Sequence, residues 1–166
     1  GVDAVIEECS KIAKDLGFNG LEFIQGDINL YSPEVLPSLV ISLHACDTAT
    51  DAVLQNASKW KADVILSTPC CHHELNHTLN CNTLSFIAEH SMLRQKFCDA
   101  ATDALRLKLL ESQGYAVAAL ELIDPEETPK NIMLRALRKS GFDQNSPTAK
   151  KLRDEYRAAK AFLLGE

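Results

Sequence analysis

Two short apolar runs limit the choice of fold more than any other feature of this chain. Residues 39–43, Leu-Val-Ile-Ser-Leu, lead into His44, Ala45, Cys46 and Asp47. Residues 63–67, Asp-Val-Ile-Leu-Ser, lead into Thr68, Pro69, Cys70, Cys71, His72, His73 and Glu74. Unbroken runs of Val, Ile and Leu are the mark of strands buried on both faces, and a helical pattern between two such runs makes a βαβ unit. Both polar tips are therefore expected at one edge of one parallel sheet, the edge where open α/β sheets bind ligands.

The flanking segments alternate in the same way. Residues 4–16 read as an amphipathic helix with Val5, Ile6, Cys9, Ile12, Ala13 and Leu16 on one face, Asp3 as N-cap and Gly17 as stop. A strand is expected at 21–25, ending in Gly26, Asp27 and Ile28, and a helix at 48–59, capped by Asp47 or Thr48. Residues 74–111 are expected to be mostly helical, most clearly at 97–111, with Gly114 as terminator. Two strands follow at 116–123 and 132–137. Their short link with Pro125 and Pro129 makes them antiparallel neighbours, because a parallel crossover needs about a dozen residues or more. A loop at 141–147 precedes a charged helix at 146–164. Phe18, Phe23 and Phe86 fall on apolar faces and read as core, and Trp60 reads as packing just past a helix.

Composition narrows the function classes. A chain of 166 residues, 46% hydrophobic, can bury one ordinary core. It has no apolar run of about 18 residues to span a membrane and no basic start followed by an apolar stretch to serve as a secretory signal. Six cysteines without a regular spacing fit reduced thiols in a cytoplasmic protein better than a disulfide framework. Charge is uneven: residues 1–127 hold 8 Lys/Arg against 19 Asp/Glu, a net −11, and residues 128–166 hold 9 against 4, a net +5. Such a basic tail is either an attraction for nucleic acid or a solvated charged helix.

This order of elements resembles the class I S-adenosylmethionine-dependent methyltransferases. The likeness extends to four blocks: residues 43–51 (Leu-His-Ala-Cys-Asp-Thr-Ala-Thr-Asp), 69–75 (Pro-Cys-Cys-His-His-Glu-Leu), 102–106 (Thr-Asp-Ala-Leu-Arg) and 128–131 (Thr-Pro-Lys-Asn). Together they are similar to a poorly characterised methyltransferase-domain family. The resemblance covers most of residues 1–140 and leaves 141–166 as a C-terminal loop and basic helix. It implies an α/β fold with a Rossmann-like, doubly wound, mostly parallel sheet closed by an antiparallel hairpin. The glycine-rich loop that opens such folds is absent from this sequence. Gly1, Val2 and Asp3 look like the end of the second strand, so the first βα unit is expected to be missing and cofactor affinity to be reduced.

The resemblance also implies a set of site residues. An acid after the second strand takes both ribose hydroxyls, since a carboxylate offers two acceptor oxygens to a vicinal diol, and Asp3 stands there. A second acid after the third strand accepts from the adenine amino group; Asp27 has that place, between Gly26 and Ile28. His44 and Ala45 would border the methionine part of S-adenosylmethionine. Asp27, His44 and Cys70 are expected to face a shared hollow. The plainer alternatives are a helix cap for Asp3 and a turn for Asp27.

Pro69, Cys70, Cys71 and His72 lie where a methyl acceptor would approach. Methyl transfer asks for alignment, exclusion of water and, for some acceptors, proton removal. Cys70 is then a nucleophile or a lining residue, and His72 a general base or a satisfied polar group at a helix start. Asp103 and Lys130 would meet the acceptor, although Asp103 and Arg106, one helical turn apart, also suit a plain ion pair. RNA is favoured over a small molecule or a protein as acceptor, because of the basic tail. A non-enzymatic, methyltransferase-like binding module is the alternative.

Two metal readings compete. His73, Glu74 and His77 match His-Glu-x-x-His, where two histidines a turn apart hold zinc. Asn80 and Thr83 stand where the extended form of that motif needs Gly and His, and Lys96 and Phe97 where another form needs an acid. The other reading is a metal-binding protein using Cys46, Cys70, Cys71, His44, His72, His73 and His77. No Cys-x-x-Cys supports it.

Overall fold

Both apolar runs form strands, and they pair in parallel. β1 (Leu39–Leu43) lies beside β2 (Val64–Thr68), with Leu39 opposite Val64 and Leu43 opposite Thr68. The computed structural model describes residues 2–43, 45, 47–70, 72–122 and 131–166. They form two compact units, Gly1–Ser32 and Pro33–Glu166.

In the larger unit α2 (Thr48–Lys59) links β1 to β2. A broken helical stretch follows: α3 (His73–Thr78), a 3₁₀ turn at Asn82–Leu84, α4 (Ser85–Ala88) and α5 (Ser91–Ser112). β3 (Tyr115–Glu121) and β4 (Ile132–Arg138) then form the expected antiparallel pair, and α6 (Pro147–Leu164) closes the chain. The strand order is β1-β2-β4-β3, with β4 antiparallel to both of its neighbours. β1, β2 and β3 therefore share one direction, and their C-terminal ends share one edge. The sheet is mixed and the fold α/β.

One face of the sheet is packed. Val40, Ile65, Ala136 and Val117 sit in register across the four strands. They meet Leu54 and Ala57 of α2, Leu110 of α5, Ala62 and Tyr115. Burying an aliphatic or aromatic side chain of this kind contributes roughly 1.5–3 kcal/mol. The Tyr115 hydroxyl, fully buried, donates to the Ala62 carbonyl at 2.9 Å, so its polar end is not stranded. A second cluster of Leu75, Leu79, Cys98 and Leu163 joins α3, α5 and α6. The other sheet face carries Leu39, Ile41 and Leu43, which are exposed.

Chain reversals follow local chemistry. Gly114 ends α5 with φ +99°, and a Cβ there would meet the Phe142 ring at 2.6 Å, so a side chain is excluded twice over. Ser146 caps α6 as its Oγ accepts from the Ala149 amide at 3.1 Å, with Pro147 at the first helical position. Gly165 closes the same helix with φ +71°.

In the smaller unit α1 (Val2–Asp15) forms and Gly17 follows it, as expected. Three expectations are corrected. Asp3 lies inside the first turn of α1, not at its cap position. Residues 21–25 form no strand, because an apolar run becomes one only when a neighbour completes its ladder, and no pairing to this run occurs among the described residues. Phe18, Phe23 and Phe86 are exposed at 61%, 36% and 65%, since apolar spacing marks which face is available for burial, not whether anything is packed on it.

Candidate functional site

The shared edge gathers the polar tips of β1 and β2. It is also where the described ends of the hairpin meet, with the Leu122 amide donating to the Asn131 carbonyl at 3.0 Å. α5 returns from β2 to β3, both running toward this edge, so the first half of α5 lies near the tips and the second half over the core. Asp99, Asp103, Arg106 and Leu110 recur at a spacing of four, three and four residues and share one helix face. The first three are charged and meet the tips; the fourth joins the core.

Arg106 is 4% exposed and donates from all three nitrogens of its planar fork. Its Nε donates to Asp51 Oδ1 at 2.7 Å and its Nη2 to Asp51 Oδ2 at 3.3 Å, a bidentate pair. Nη1 donates to Asp103 Oδ1 at 3.1 Å, and Nη2 to the Asp47 carbonyl at 2.9 Å. Burial works against the charge. The hydrogen bond and charge of Asp51, then those of Asp103, outweigh it and hold the guanidinium above its ordinary value.

Asp103, 5% exposed, carries the network to the second tip. His72, 4% exposed, stands 2.8 Å from Asp103 Oδ1 through Nε2. An ionised carboxylate only accepts, so Nε2 carries the proton. His72 Nδ1 lies 3.5 Å from Asp99 Oδ1, within ion-pair range but outside hydrogen-bond geometry. The ring thus stands at the N-cap position of α3 with one nitrogen bonded to Asp103 and the other buried without a hydrogen-bond partner.

The first tip is fastened from its other side. Asp47 has φ +45°, a conformation that costs a non-glycine residue about 1–3 kcal/mol and persists only where its surroundings enforce it. The surroundings do so: Arg106 takes its carbonyl, and the Glu74 amide donates to its Oδ2 at 3.1 Å. Thr50, fully buried, donates through Oγ1 to the Ala45 carbonyl at 2.6 Å. Asp47 precedes α2 yet makes no side-chain cap bond, because its carboxylate is committed across the edge to α3.

Of the residues expected at the site, the edge brings together Ala45, Pro69, Cys70, His72 and Asp103. Cys70 is half-buried. Burial pushes the thiol of Cys98, on α5, up. His44, Cys71 and Lys130 lie outside the described residues. Asp3, Gly26, Asp27 and Ile28 belong to the smaller unit. There Asp27 makes an Asx turn, its Oδ1 accepting from the Asn29 amide at 2.8 Å and from Asn29 Nδ2 at 2.9 Å. His73 and His77 are exposed on α3. No group of three His, Cys, Asp or Glu side chains is arranged to hold a metal among the described residues. The sequence reading passed over Asp51, Asp99 and the central place of Arg106. The spacing of Asp99, Asp103 and Arg106 on one face of a helix was the available signal.

Comparison with known proteins bears on this edge directly. Residues 2–78 match a methyltransferase-domain family. That span holds two of the four blocks on which the resemblance rests, 43–51 and 69–75. Relatives carry the likeness further along the chain. A glutathione S-transferase C-terminal domain-containing protein of Homo sapiens is 26% identical, covering 75% of this chain and 23% of that protein. Its Bos taurus counterpart is 25% identical over the same shares. A Drosophila melanogaster homolog is 28% identical, over 76% and 26%. The chain spans about a quarter of the length of these relatives. No solved structure matches.

Proposed function

We propose that the chain is part of an S-adenosylmethionine-dependent methyltransferase domain working in the cytoplasm, whose acceptor approaches the tip of β2. The observation that carries this reading is the meeting of the β1 and β2 tips at one sheet edge, tied by Arg106, in a chain matched to a methyltransferase domain over residues 2–78. Six cysteines without a regular spacing support a reducing compartment. The apolar second face of the sheet, with Leu39, Ile41 and Leu43, supports a doubly wound, Rossmann-like arrangement.

The resemblance assigns the cofactor contacts. Asp27 has Oδ1 engaged by Asn29, and a carboxylate has acceptor capacity beyond that for an adenine amino group. Asp3 would take the ribose hydroxyls, Gly26 and Ile28 would flank the adenine, and His44 and Ala45 would border the methionine part. Bound S-adenosylmethionine supplies a methyl group already electrophilic on its sulfonium. The chain supplies alignment. Pro69 and Cys70 line the acceptor side and Asp103 holds the His72 ring; by the resemblance Cys71 and Lys130 would meet the acceptor. A base role for His72 would need the acceptor to reach Nδ1, which is buried beside Asp99, because Nε2 is bound to Asp103.

RNA is the favoured acceptor. Lys150, Lys151, Arg157 and Lys160 are exposed on α6, in the basic part of the chain, and suit phosphate contacts. Calorimetric titration of S-adenosylmethionine into the full-length protein tests the reading, with Asp27→Ala beside it. Saturable binding, weakened in the variant, is expected; a folded protein giving no binding heat would end it. The second reading is a methyltransferase-like module kept for binding. That module would leave the titration flat.

A further inference from the structure

We infer that Arg106 is the positioning residue that makes the two tips of this site a single rigid body, so that the cofactor side and the acceptor side are set by one guanidinium. This deepens the methyltransferase reading and rests on it for its functional half. The tips are joined by two routes that close a ring. One is direct, from the Glu74 amide to Asp47 Oδ2 at 3.1 Å. The other runs from His72 Nε2 to Asp103 at 2.8 Å, from Arg106 Nη1 to the same oxygen at 3.1 Å, and from Arg106 Nη2 to the Asp47 carbonyl at 2.9 Å. His72 and Glu74 are two residues apart, so the ring is small. Every side chain on the second route is nine-tenths or more buried.

Asp51 explains why arginine is needed. It fixes the guanidinium plane through the bidentate pair, leaving Nη1 to point to one tip and Nη2 to the other. A lysine ammonium carries the charge but has no planar fork, so it cannot satisfy Asp51, Asp103 and the Asp47 carbonyl in these directions at once. The strained φ of Asp47 then loses its restraint, and the β1 tip and the His72 turn lose their common reference.

Two measurements on full-length protein, wild type and Arg106→Lys, test this, with Ser146→Ala as a variant destabilised far from the edge. In hydrogen exchange, Arg106→Lys is expected to speed the amides of residues 47–51 and 72–75 together, at least tenfold, while those of β3 and β4 stay protected. Ser146→Ala leaves both tips as in the wild type. In titration with S-adenosylhomocysteine at a temperature where all three proteins are folded, Arg106→Lys is expected to bind about tenfold more weakly and Ser146→Ala equally well. Faster exchange confined to α5, or at one tip alone, overturns the inference. So does unchanged affinity in Arg106→Lys beside a binding wild type. A wild type that binds nothing removes the methyltransferase reading instead, and the exchange experiment alone then decides whether Arg106 joins the tips.

Discussion

α5 carries two kinds of burial along one face, and they do different work. Toward its C-terminal end Leu110 fits against Ile65, Tyr115 and Ala136 in an apolar core with no directional demand beyond shape. One turn earlier Arg106 is as well hidden as the residues around it, at 4% exposure against 2% for Leu110, but every contact it makes is directional. Burying apolar surface stabilises wherever it happens. Burying an ion pair is roughly neutral, because desolvation offsets the attraction, and what it secures is one arrangement of the atoms it joins. The core gives the fold its stability; the Arg106 network gives the edge its geometry.

The largest expected effect breaks that distinction if it is wrong. Arg106→Ala leaves Asp51 and Asp103 without their shared cation, and removing one partner of a buried pair costs about 3–5 kcal/mol. Leu110→Ala removes apolar contacts and leaves a cavity, costing about 2–5 kcal/mol. Chemical denaturation of both variants is expected to show similar losses in stability from opposite causes. The discriminating measurement is the double variant Arg106→Met with Asp51→Leu, which removes charge from both ends of the bidentate pair. It is expected to recover about 1–3 kcal/mol of the Arg106→Ala loss, by analogy with buried pairs replaced by apolar groups. No such exchange of polar for apolar groups rescues Leu110→Ala. Failure of the double variant to recover stability would mean that the network stabilises the fold outright.

A smaller effect sharpens the comparison within the core. Tyr115→Phe keeps the ring but deletes the hydroxyl that donates to the Ala62 carbonyl, and a net loss of about 0.5–1.5 kcal/mol is expected in the same assay. Ser146→Ala removes the capping acceptor of α6 and is expected to cost about 1 kcal/mol. Neither variant should move the edge.

The core was easier to read from the sequence than the edge for the same physical reason. Residues 39–43 announced themselves as an apolar run and 48–59 and 146–164 as helical stretches, and β1, α2 and α6 formed at or within a residue of those bounds, although β1 buries one face only, with Leu39, Ile41 and Leu43 exposed. The antiparallel β3–β4 pair followed from the length of its link. The apolar content of 21–25 misled, since it does not record whether a pairing partner exists. Directional contacts leave no period. His72 and Asp103 were recognisable as reactive types, but that His72 binds Asp103 31 positions away, and that Arg106 binds Asp51 55 positions away, depends on how α2 and α5 lie together. Asp47 suggested a helix cap by residue type; its carboxylate instead reaches the Glu74 amide, a choice only the tertiary arrangement makes.

The smallest effect comes from charge at the surface, where the contrast with Arg106 is sharpest. Lys108, two residues beyond Arg106 on α5, pairs with Glu111 at 3.0 Å and with Glu155 of α6. The hydrogen bond from Lys108 is the main cause holding the Glu155 carboxyl below its ordinary value of 4.5. A carboxyl depressed in the folded state contributes stability above its unfolded value and loses it as pH falls through the folded one. Lys108 is raised above its ordinary 10.5, first by the hydrogen bond to Glu155 and then by that to Glu111, so its contribution is present below 10.5 and is lost as pH rises through the folded value. The α5–α6 tie is therefore expected to help only between these limits. Glu155→Gln should lower the melting temperature slightly at neutral pH and not at all once Glu155 in the wild type is protonated. Because Glu155 is exposed and Lys108 only half-buried, added salt should shrink the difference. Arg106 has no titration in that range and little solvent around it, so the stability loss in Arg106→Ala should survive the same salt. Equal salt sensitivity in the two variants would mean that burial has not separated the edge network from an ordinary surface pair.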